Sequence, residues 1–136
     1  MRVVIIGGVA AGMSAAMEIV RHDKDAEIIT LEKGFIYSYG QCGLPYVIDG
    51  RIAEAADLIA RSPEQFQKKY GIDARVGHEV DYIDYDNQLI TGYNVATNER
   101  FELTYDKLLI ATGAAPVLPA IEGVKLKGIQ TFKTDS

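Results

Sequence analysis

The residues of this chain that could do redox chemistry are one cysteine and the glycine-rich turn that precedes it. Cys42 is the single cysteine, and it lies in the run Ser38–Tyr46. A cysteine reacts as its thiolate, which free backbone amides and the start of a helix stabilise. Gly40 and Gly43 expose such amides, and Pro45 is compatible with the first turn of a following helix. A thiol placed here could exchange electrons with an adjacent redox cofactor.

The glycine turn, residues 7–12, follows a short β-branched run and precedes a helical pattern, which is where a phosphate cradle belongs. Gly7 permits the tight turn, and Gly12 permits close packing of the helix on the strand. Between them, Val9 replaces the middle glycine of the usual pattern, and the other residues are small: Gly8, Ala10 and Ala11. Glu32 ends the next strand pattern and could accept both ribose hydroxyls of an adenosine. The alternative is a tight turn with a surface glutamate, and the combined context favours a dinucleotide.

Cys42 has alternatives of its own, because a lone cysteine can simply be a small buried apolar residue. With no second cysteine in the chain, its redox partner would be a small thiol in a mixed disulfide, or peroxide or oxygen forming a sulfenic acid. Three polar residues share one face of the first helix, which is either solvated or substrate-binding: Ser14, Glu18 and Arg21. Thr112 and Gly113 form a second close-approach turn or an ordinary strand end. His22 and His78 are assigned no role.

The elements that must position these residues follow from periodicity. Residues 2–6, 11–21 and 27–31 predict a βαβ unit. Residues 34–50 read as irregular. Ser62 as N-cap, with Pro63 at the first turn, predicts a helix ending at residues 70–71. From residue 72 a period of two predicts short strands, and a buried strand comes last: 72–76, 80–85, 88–93, 100–103 and 107–111. The fold class is α/β, a parallel sheet with helices plus a small antiparallel β-meander.

Composition limits the class of protein. The chain has 136 residues, 48% of them hydrophobic, which is enough for one domain-sized core. Its net charge of −5, with acids and bases interspersed, does not indicate a nucleic-acid partner. No run is apolar enough for a signal peptide or a membrane span. One cysteine can form neither an internal disulfide nor a metal cluster. We therefore expect a soluble protein of a reducing compartment, the cytoplasm.

Several motifs together resemble the single-cysteine pyridine nucleotide-disulfide oxidoreductases, and among them the coenzyme A-disulfide reductase and NADH oxidase group. The resemblance covers nearly the whole chain, and the cysteine motif is its most specific part. The motifs are Gly7-x-Val9-Ala10-x-Gly12, Glu32-Lys33, Ser38-x-x-x-Cys42-Gly43-Leu44-Pro45-Tyr46 and Ala111-Thr112-Gly113-Ala114-x-Pro116.

The resemblance implies a Rossmann-like FAD/NAD(P)-binding fold, with NAD(P)H as electron donor and Cys42 as catalytic residue beside the flavin ring. It implies that FAD is bound by the glycine turn, by the residues that end the second strand, by one residue near the adenine and by the turn after the last strand. These residues are Gly7, Gly8, Val9, Ala10, Ala11, Gly12, then Glu32 and Lys33, then Val80, and finally Ala111, Thr112 and Gly113. It implies coenzyme A, or a similar small thiol or disulfide, as the substrate, bound by Ser14, Glu18, Arg21, Ser38 and Gln41.

Three departures from the family pattern bear on these expectations. Glu18 stands where coenzyme A reductases carry a neutral amide, and Gln41 stands in place of the usual asparagine, so an oxidase, peroxidase or persulfide reductase remains an alternative.

The third departure is that the family's second glycine-rich unit, its later Gly-Asp segment and its dimerisation domain do not occur in these residues. We expect residues 1–112 to be the N-terminal segment of an FAD-binding domain and residues 113–136 a connection toward a missing NAD(P)H-binding domain. Such a piece would be inactive by itself and bind FAD weakly, whereas the full protein would be a homodimer. The rival from another class is a non-catalytic nucleotide-binding module with a structural cysteine.

Overall fold

A computed structural model describes residues 1–133 as an α/β structure with two sheets. In chain order the strands and helices are β1 (Arg2–Ile6), α1 (Ala10–His22), β2 (Glu27–Leu31), α2 (Leu44–Ile48), α3 (Pro63–Tyr70), β3 (Asp73–Arg75), β4 (His78–Asp84), β5 (Leu89–Asn94), β6 (Arg100–Thr104) and β7 (Lys107–Ile110). Two 3₁₀ turns, Gln41–Gly43 and Ala55–Leu58, lie in the long segment between β2 and α3.

The parallel sheet has the order β3-β2-β1-β7, which places the apolar strand β1 at its centre. Val4 and Ile5 of that strand are completely buried, as expected for a strand covered on both faces. Ile6 lies opposite Leu31 of β2 and opposite Ile110 of β7. The three strands therefore end at the same edge, which is where open α/β sheets bind ligands.

Helix α3 forms from the signals that the sequence predicted. The Ser62 hydroxyl accepts a hydrogen bond from the Gln65 amide at 3.3 Å, and the Gln65 side chain accepts one from the Ser62 amide at 3.0 Å. Pro63 begins the helix, and Gly71 ends it in the left-handed conformation with φ +69°. This helix lies next to β3 and buries Phe66 completely, so it packs the crossover between β2 and β3 onto the sheet.

The β-meander, strands β4 to β6, is antiparallel and packs against the parallel sheet. Ile90 at its centre is completely buried and clusters with Val4, Ile29 and Leu31 of the parallel sheet. The meander thus covers one face of the sheet, whereas Met13 and Ala16 of α1 pack in a separate cluster with Val3, Ile5 and Ile28.

Three segments differ in detail from the sequence-based expectation. The pattern at residues 72–76 is continuous in sequence with the meander, but β3 pairs parallel with β2 because the buried Ile72 draws it under α3. The segment 34–50, expected to be irregular, contains the first 3₁₀ turn and α2. Residues 111–133 contain no helix or strand, and the end of the predicted connection, residues 134–136, lies outside the described residues. None of the helices within residues 1–133 has the length and apolarity of a bilayer-crossing segment.

Candidate functional site

The glycine turn lies between the end of β1 and the start of α1, and close packing fixes its shape. Gly7 has φ +116° and donates a hydrogen bond to the Leu31 carbonyl at 2.8 Å. A Cβ atom on Gly7 would overlap the Ala111 carbonyl, and one on Gly12 would overlap the Gly7 carbonyl oxygen. Both positions therefore require glycine for steric reasons. Val9 is the N-cap residue without a side-chain cap, so the first amides of α1 are left for another partner.

Glu32 lies directly below this turn and hydrogen-bonds to backbone amides on both sides. Its Oε2 atom accepts from the Gly8 amide and its Oε1 atom accepts from the Gly34 amide, each at 2.8 Å. The carboxylate is thus fixed at the rim of the turn, and the exposed Lys33 follows it. Each carboxylate oxygen uses only one of its two lone-pair positions in these bonds, so both could still accept from ribose hydroxyls.

Tyr37 supports the turn from beneath, and the sequence analysis did not single it out. Its ring occupies the space that a Cβ on Gly8 would need. Its hydroxyl donates to the Thr30 carbonyl at 2.7 Å and lies 2.9 Å from the Thr30 Oγ1 atom and 3.1 Å from the Arg75 carbonyl. Burial raises the pKa of the Tyr37 phenol well above its usual value. A side chain at Gly8 is therefore excluded by a buried, neutral ring, whether or not a ligand is bound.

The other predicted cofactor residues lie at the same edge of the sheet. The Ala111 amide donates to the Ile6 carbonyl at 2.8 Å, which brings the exposed Thr112 and Gly113 beside the glycine turn. The His78 amide donates to the Glu32 carbonyl at 2.9 Å, so β4, which carries the half-buried Val80, starts next to Glu32. This edge combines unpaired amides, glycines whose space a Cβ would fill and a fixed carboxylate. That donor set fits a dinucleotide such as FAD.

Residues 38–43, the cysteine loop, carry Cys42 and are hydrogen-bonded to the glycine turn. The Ser38 amide donates to the Gly8 carbonyl at 2.9 Å, and Ser38 has φ +52°, a conformation that few non-glycine residues adopt. On the other side, the Gly40 amide donates to the Leu58 carbonyl at 2.9 Å. Cys42 follows in the first 3₁₀ turn and is exposed. The buried Leu44 then begins α2, whose first turn contains a proline as the sequence predicted.

A groove of about 490 Å³ runs between α1 and the cysteine loop. Four of the five predicted substrate residues line it: Ser14, Glu18, Arg21 and Ser38. Its lining includes Gly40 but neither Gln41 nor Cys42, the next two residues of the chain. The groove thus lies between the polar face of α1 and the residues that immediately precede Cys42 in the chain.

The charges along this groove differ from a simple cationic site. Glu18 accepts a hydrogen bond from Arg21 at 2.7 Å and lies 2.8 Å from the His22 Nε2 atom. His22 and Arg21 together lower the pKa of the Glu18 carboxyl. Arg61, just before α3, also lines the groove. The sequence analysis missed Arg61 because only the tertiary fold brings it opposite α1.

Comparisons with known proteins agree with this geometry. Residues 1–136 match the family described as pyridine nucleotide-disulphide oxidoreductase. The NADH oxidase of Methanocaldococcus jannaschii is 39% identical over 134 residues, which cover 98% of this chain and 30% of that protein. The coenzyme A disulfide reductase of Staphylococcus haemolyticus is 40% identical over 113 residues, covering 83% of this chain and 26% of that protein. The solved NAD-dependent persulfide reductase from A. fulgidus has a TM-score of 0.88 and 40% identity, covering 94% of this chain and 24% of that one. The chain thus spans 30% or less of the length of these relatives.

Proposed function

Because the chain belongs to the pyridine nucleotide-disulphide oxidoreductase family, whose members use FAD and NAD(P)H, we propose that the protein carrying it is a flavin-dependent thiol-disulfide oxidoreductase. The observation that supports this most directly is the hydrogen bond from the Ser38 amide to the Gly8 carbonyl. It fixes the loop of an exposed cysteine to the turn that would bind a dinucleotide. The finer proposals are a homodimeric, cytoplasmic protein, with residues 1–112 in its FAD-binding domain and residues 113–136 leading to its NAD(P)H-binding domain.

The cofactor would be held at the edge where β1, β2 and β7 end. Its pyrophosphate would accept hydrogen bonds from the amides of the glycine turn and α1, and its ribose would contact Glu32 beside Lys33. Val80 would lie near the adenine, and the segment Ala111–Gly113 would contact the cofactor beside the glycine turn. When bound, FAD would supply the relay of electrons from NAD(P)H to sulfur. The chain's own contribution is to bind the cofactor and orient the cysteine loop toward it.

Cys42 would be the nucleophile, acting as a thiolate on a disulfide or persulfide. It would attack one sulfur of a coenzyme A disulfide, forming a mixed disulfide and breaking the substrate's S–S bond, with coenzyme A thiolate leaving. The substrate arm would lie in the groove lined by Ser14, Glu18, Arg21 and Ser38, with Gln41 beside the sulfur. Coenzyme A disulfide is favoured because similar reductases from Staphylococcus carry that name, and a persulfide is the related alternative.

The experiment uses the full protein that contains this chain. We expect purified protein to carry a flavin spectrum and to oxidise NAD(P)H when coenzyme A disulfide is added. Cys42→Ser should abolish the disulfide-dependent turnover while the flavin content stays unchanged, since Cys42 is exposed and makes no core contacts. Full turnover by that variant would overturn the assignment of the nucleophile.

A second candidate is an NADH oxidase or peroxidase in which Cys42 cycles through a sulfenic acid. The similarity to an NADH oxidase over 98% of this chain favours it, as does the exposure of Cys42. Dimedone-type labelling of Cys42 after peroxide treatment, together with NADH oxidation that depends on oxygen or peroxide, would select this candidate. A protein without flavin whose Cys42 reacts slowly with thiol reagents would instead be a non-catalytic nucleotide-binding module.

A further inference from the structure

The groove beside the cysteine loop contains two arginines in different electrostatic states. Arg21, on α1, is already bonded to the Glu18 carboxylate at 2.7 Å. Glu18 also lies 2.8 Å from His22, so its carboxylate bridges both basic residues of the last turn of α1. An anionic substrate group that approached Arg21 would also be repelled by the Glu18 carboxylate, which is bonded to one of its guanidinium nitrogens. The exposed ion pair is weak by itself, but it competes for the same donors that a phosphate would use.

Arg61 lines the same groove, and among the described residues no carboxylate competes for it. No ion pair involves Arg61 anywhere in residues 1–133. Its guanidinium carbon lies 5.7 Å from the centre of the Tyr70 ring. Lys69 Nζ lies 5.4 Å from the same ring, so two positive charges lie near Tyr70.

The Tyr70 ring is itself held in place. Its centre lies 6.2 Å from that of the Phe66 ring, which is completely buried and also lines the groove. A guanidinium placed over an aromatic face keeps its N–H groups in its own plane, where they can bind a phosphate in bidentate fashion. The aromatic pair thus pre-orients a cation toward the groove.

We propose, on the basis of the function proposed above, that Arg61 determines specificity for substrates that carry a phosphate group. Arg61 binds the phosphate of a low-molecular-weight disulfide in the groove, and the Glu18 pair removes Arg21 from this role. The substrate class is a disulfide that joins a phosphorylated thiol to a second thiol, and Cys42 attacks one of its two sulfur atoms.

The test measures one chemical step of Cys42 in the full protein that contains this chain, which is first reduced and then freed of reductant, with no NAD(P)H added. The thiolate of Cys42 attacks a substrate disulfide, a new S–S bond forms to Cys42, and one thiolate of the substrate leaves. Mass spectrometry follows the mixed disulfide with two probes, coenzyme A disulfide and pantethine, which has the same thiol arm without phosphate. The ratio of the two rates reports recognition of the phosphate and cancels changes in the reactivity of the cysteine.

We expect coenzyme A disulfide to react faster than pantethine, and Arg61→Gln to reduce this preference about tenfold, as expected for the loss of one charge-assisted contact. Glu18→Gln should increase the preference, because it frees Arg21. The matched control is Arg51→Gln, since Arg51 also lies over a tyrosine ring, 5.5 Å from Tyr46, but outside the groove. This control should leave the preference unchanged.

The outcomes separate this proposal from the function on which it rests. Three results would overturn the role of Arg61 while leaving Cys42 as the nucleophile. The unmodified protein would show no preference for coenzyme A disulfide over pantethine, Arg61→Gln would leave the preference unchanged, or Arg51→Gln would lose as much of it. Reaction of Cys42 with both probes no faster than that of a short cysteine peptide would count against the thiol-disulfide function itself. Circular dichroism of each variant confirms that the chain is folded before the rates are compared.

Discussion

Removing one buried hydroxyl by Tyr37→Phe tests how the glycine turn is supported. The Tyr37 side chain is 1% exposed, and its hydroxyl contacts Thr30 and the Arg75 carbonyl at 2.7 to 3.1 Å. Phenylalanine keeps the ring against Gly8 but leaves the buried Thr30 hydroxyl and two carbonyls with fewer partners. We expect the free energy of unfolding to fall by about 1 to 3 kcal/mol, the usual cost of leaving buried polar groups unsatisfied.

Urea unfolding followed by circular dichroism measures this change, and the chain offers a matched control. Tyr105 is also buried, at 7% exposure, but its hydroxyl has no hydrogen-bond partner among the described residues. Tyr105→Phe should therefore leave stability unchanged or raise it slightly, because it removes a desolvated polar atom without breaking a bond. Equal losses in the two variants, or a larger loss in Tyr105→Phe, would refute the hydrogen-bond argument.

The same substitution should change the pH dependence of stability. Burial raises the pKa of Tyr37 in the folded state, so the unfolded chain loses the phenol proton at a lower pH than the folded chain. The neutral phenol of Tyr37 therefore contributes its full stabilisation of the folded state below the unfolded pKa of about 10. This stabilisation is lost as the pH rises above that value. Tyr93, whose pKa the neighbouring Glu79 raises, acts in the same direction and remains in the variant. The stability of Tyr37→Phe should decline less steeply above about pH 10, and parallel curves would contradict this reasoning.

Gly12→Ala should lower the free energy of unfolding in urea by about 1 to 3 kcal/mol, because the new methyl group would overlap the Gly7 carbonyl oxygen. The better helix propensity of alanine offsets only part of this cost. A more stable variant would contradict the close packing at Gly12. Glu32→Gln should weaken FAD binding by the full protein in a flavin-release titration. The NH2 group of glutamine is a donor, so it would face one of the two backbone amides from which the carboxylate now accepts hydrogen bonds. Unchanged affinity would exclude Glu32 from the ribose site. Ser62→Ala should lower the free energy of unfolding by about 1 kcal/mol, because it removes the hydroxyl that caps α3 in its reciprocal bonding with Gln65. Flavin affinity should stay constant. Weakened flavin binding would show that α3 is coupled to the cofactor site.

Local chemistry made part of this fold predictable. The N-cap at Ser62 and the helix that follows it depend on residues three apart in sequence, and the pattern and the structure agree there. The βαβ unit and its glycine turn were predictable for the same reason. The strand at residues 72–76 was placed less well, since a period of two does not say which sheet a strand joins, and burial of Ile72 decides it.

Other features depend on contacts between distant segments, which a single sequence does not reveal. Tyr37 was one of several tyrosines in an apparently irregular segment, and only the folded chain places its ring under Gly8. Arg61 is similar, because its importance arises from the groove that α1 forms opposite it. Glu18 could be predicted as unusual, but its pairing with both Arg21 and His22 required the helix geometry.

The central position of β1 has a consequence for how the chain is made. β1 leaves the ribosome well before its neighbour β7, because residues 7–106 are synthesised between them. Until then the apolar side of β1 has an open edge, and closing so long a loop costs entropy. The meander reduces that cost, because its hairpins form from adjacent segments and shorten the effective distance between β3 and β7. We therefore expect pulse-labelled hydrogen exchange to show protection of β5 before β1, so that the covering layer acts as a folding scaffold for the sheet it later shields.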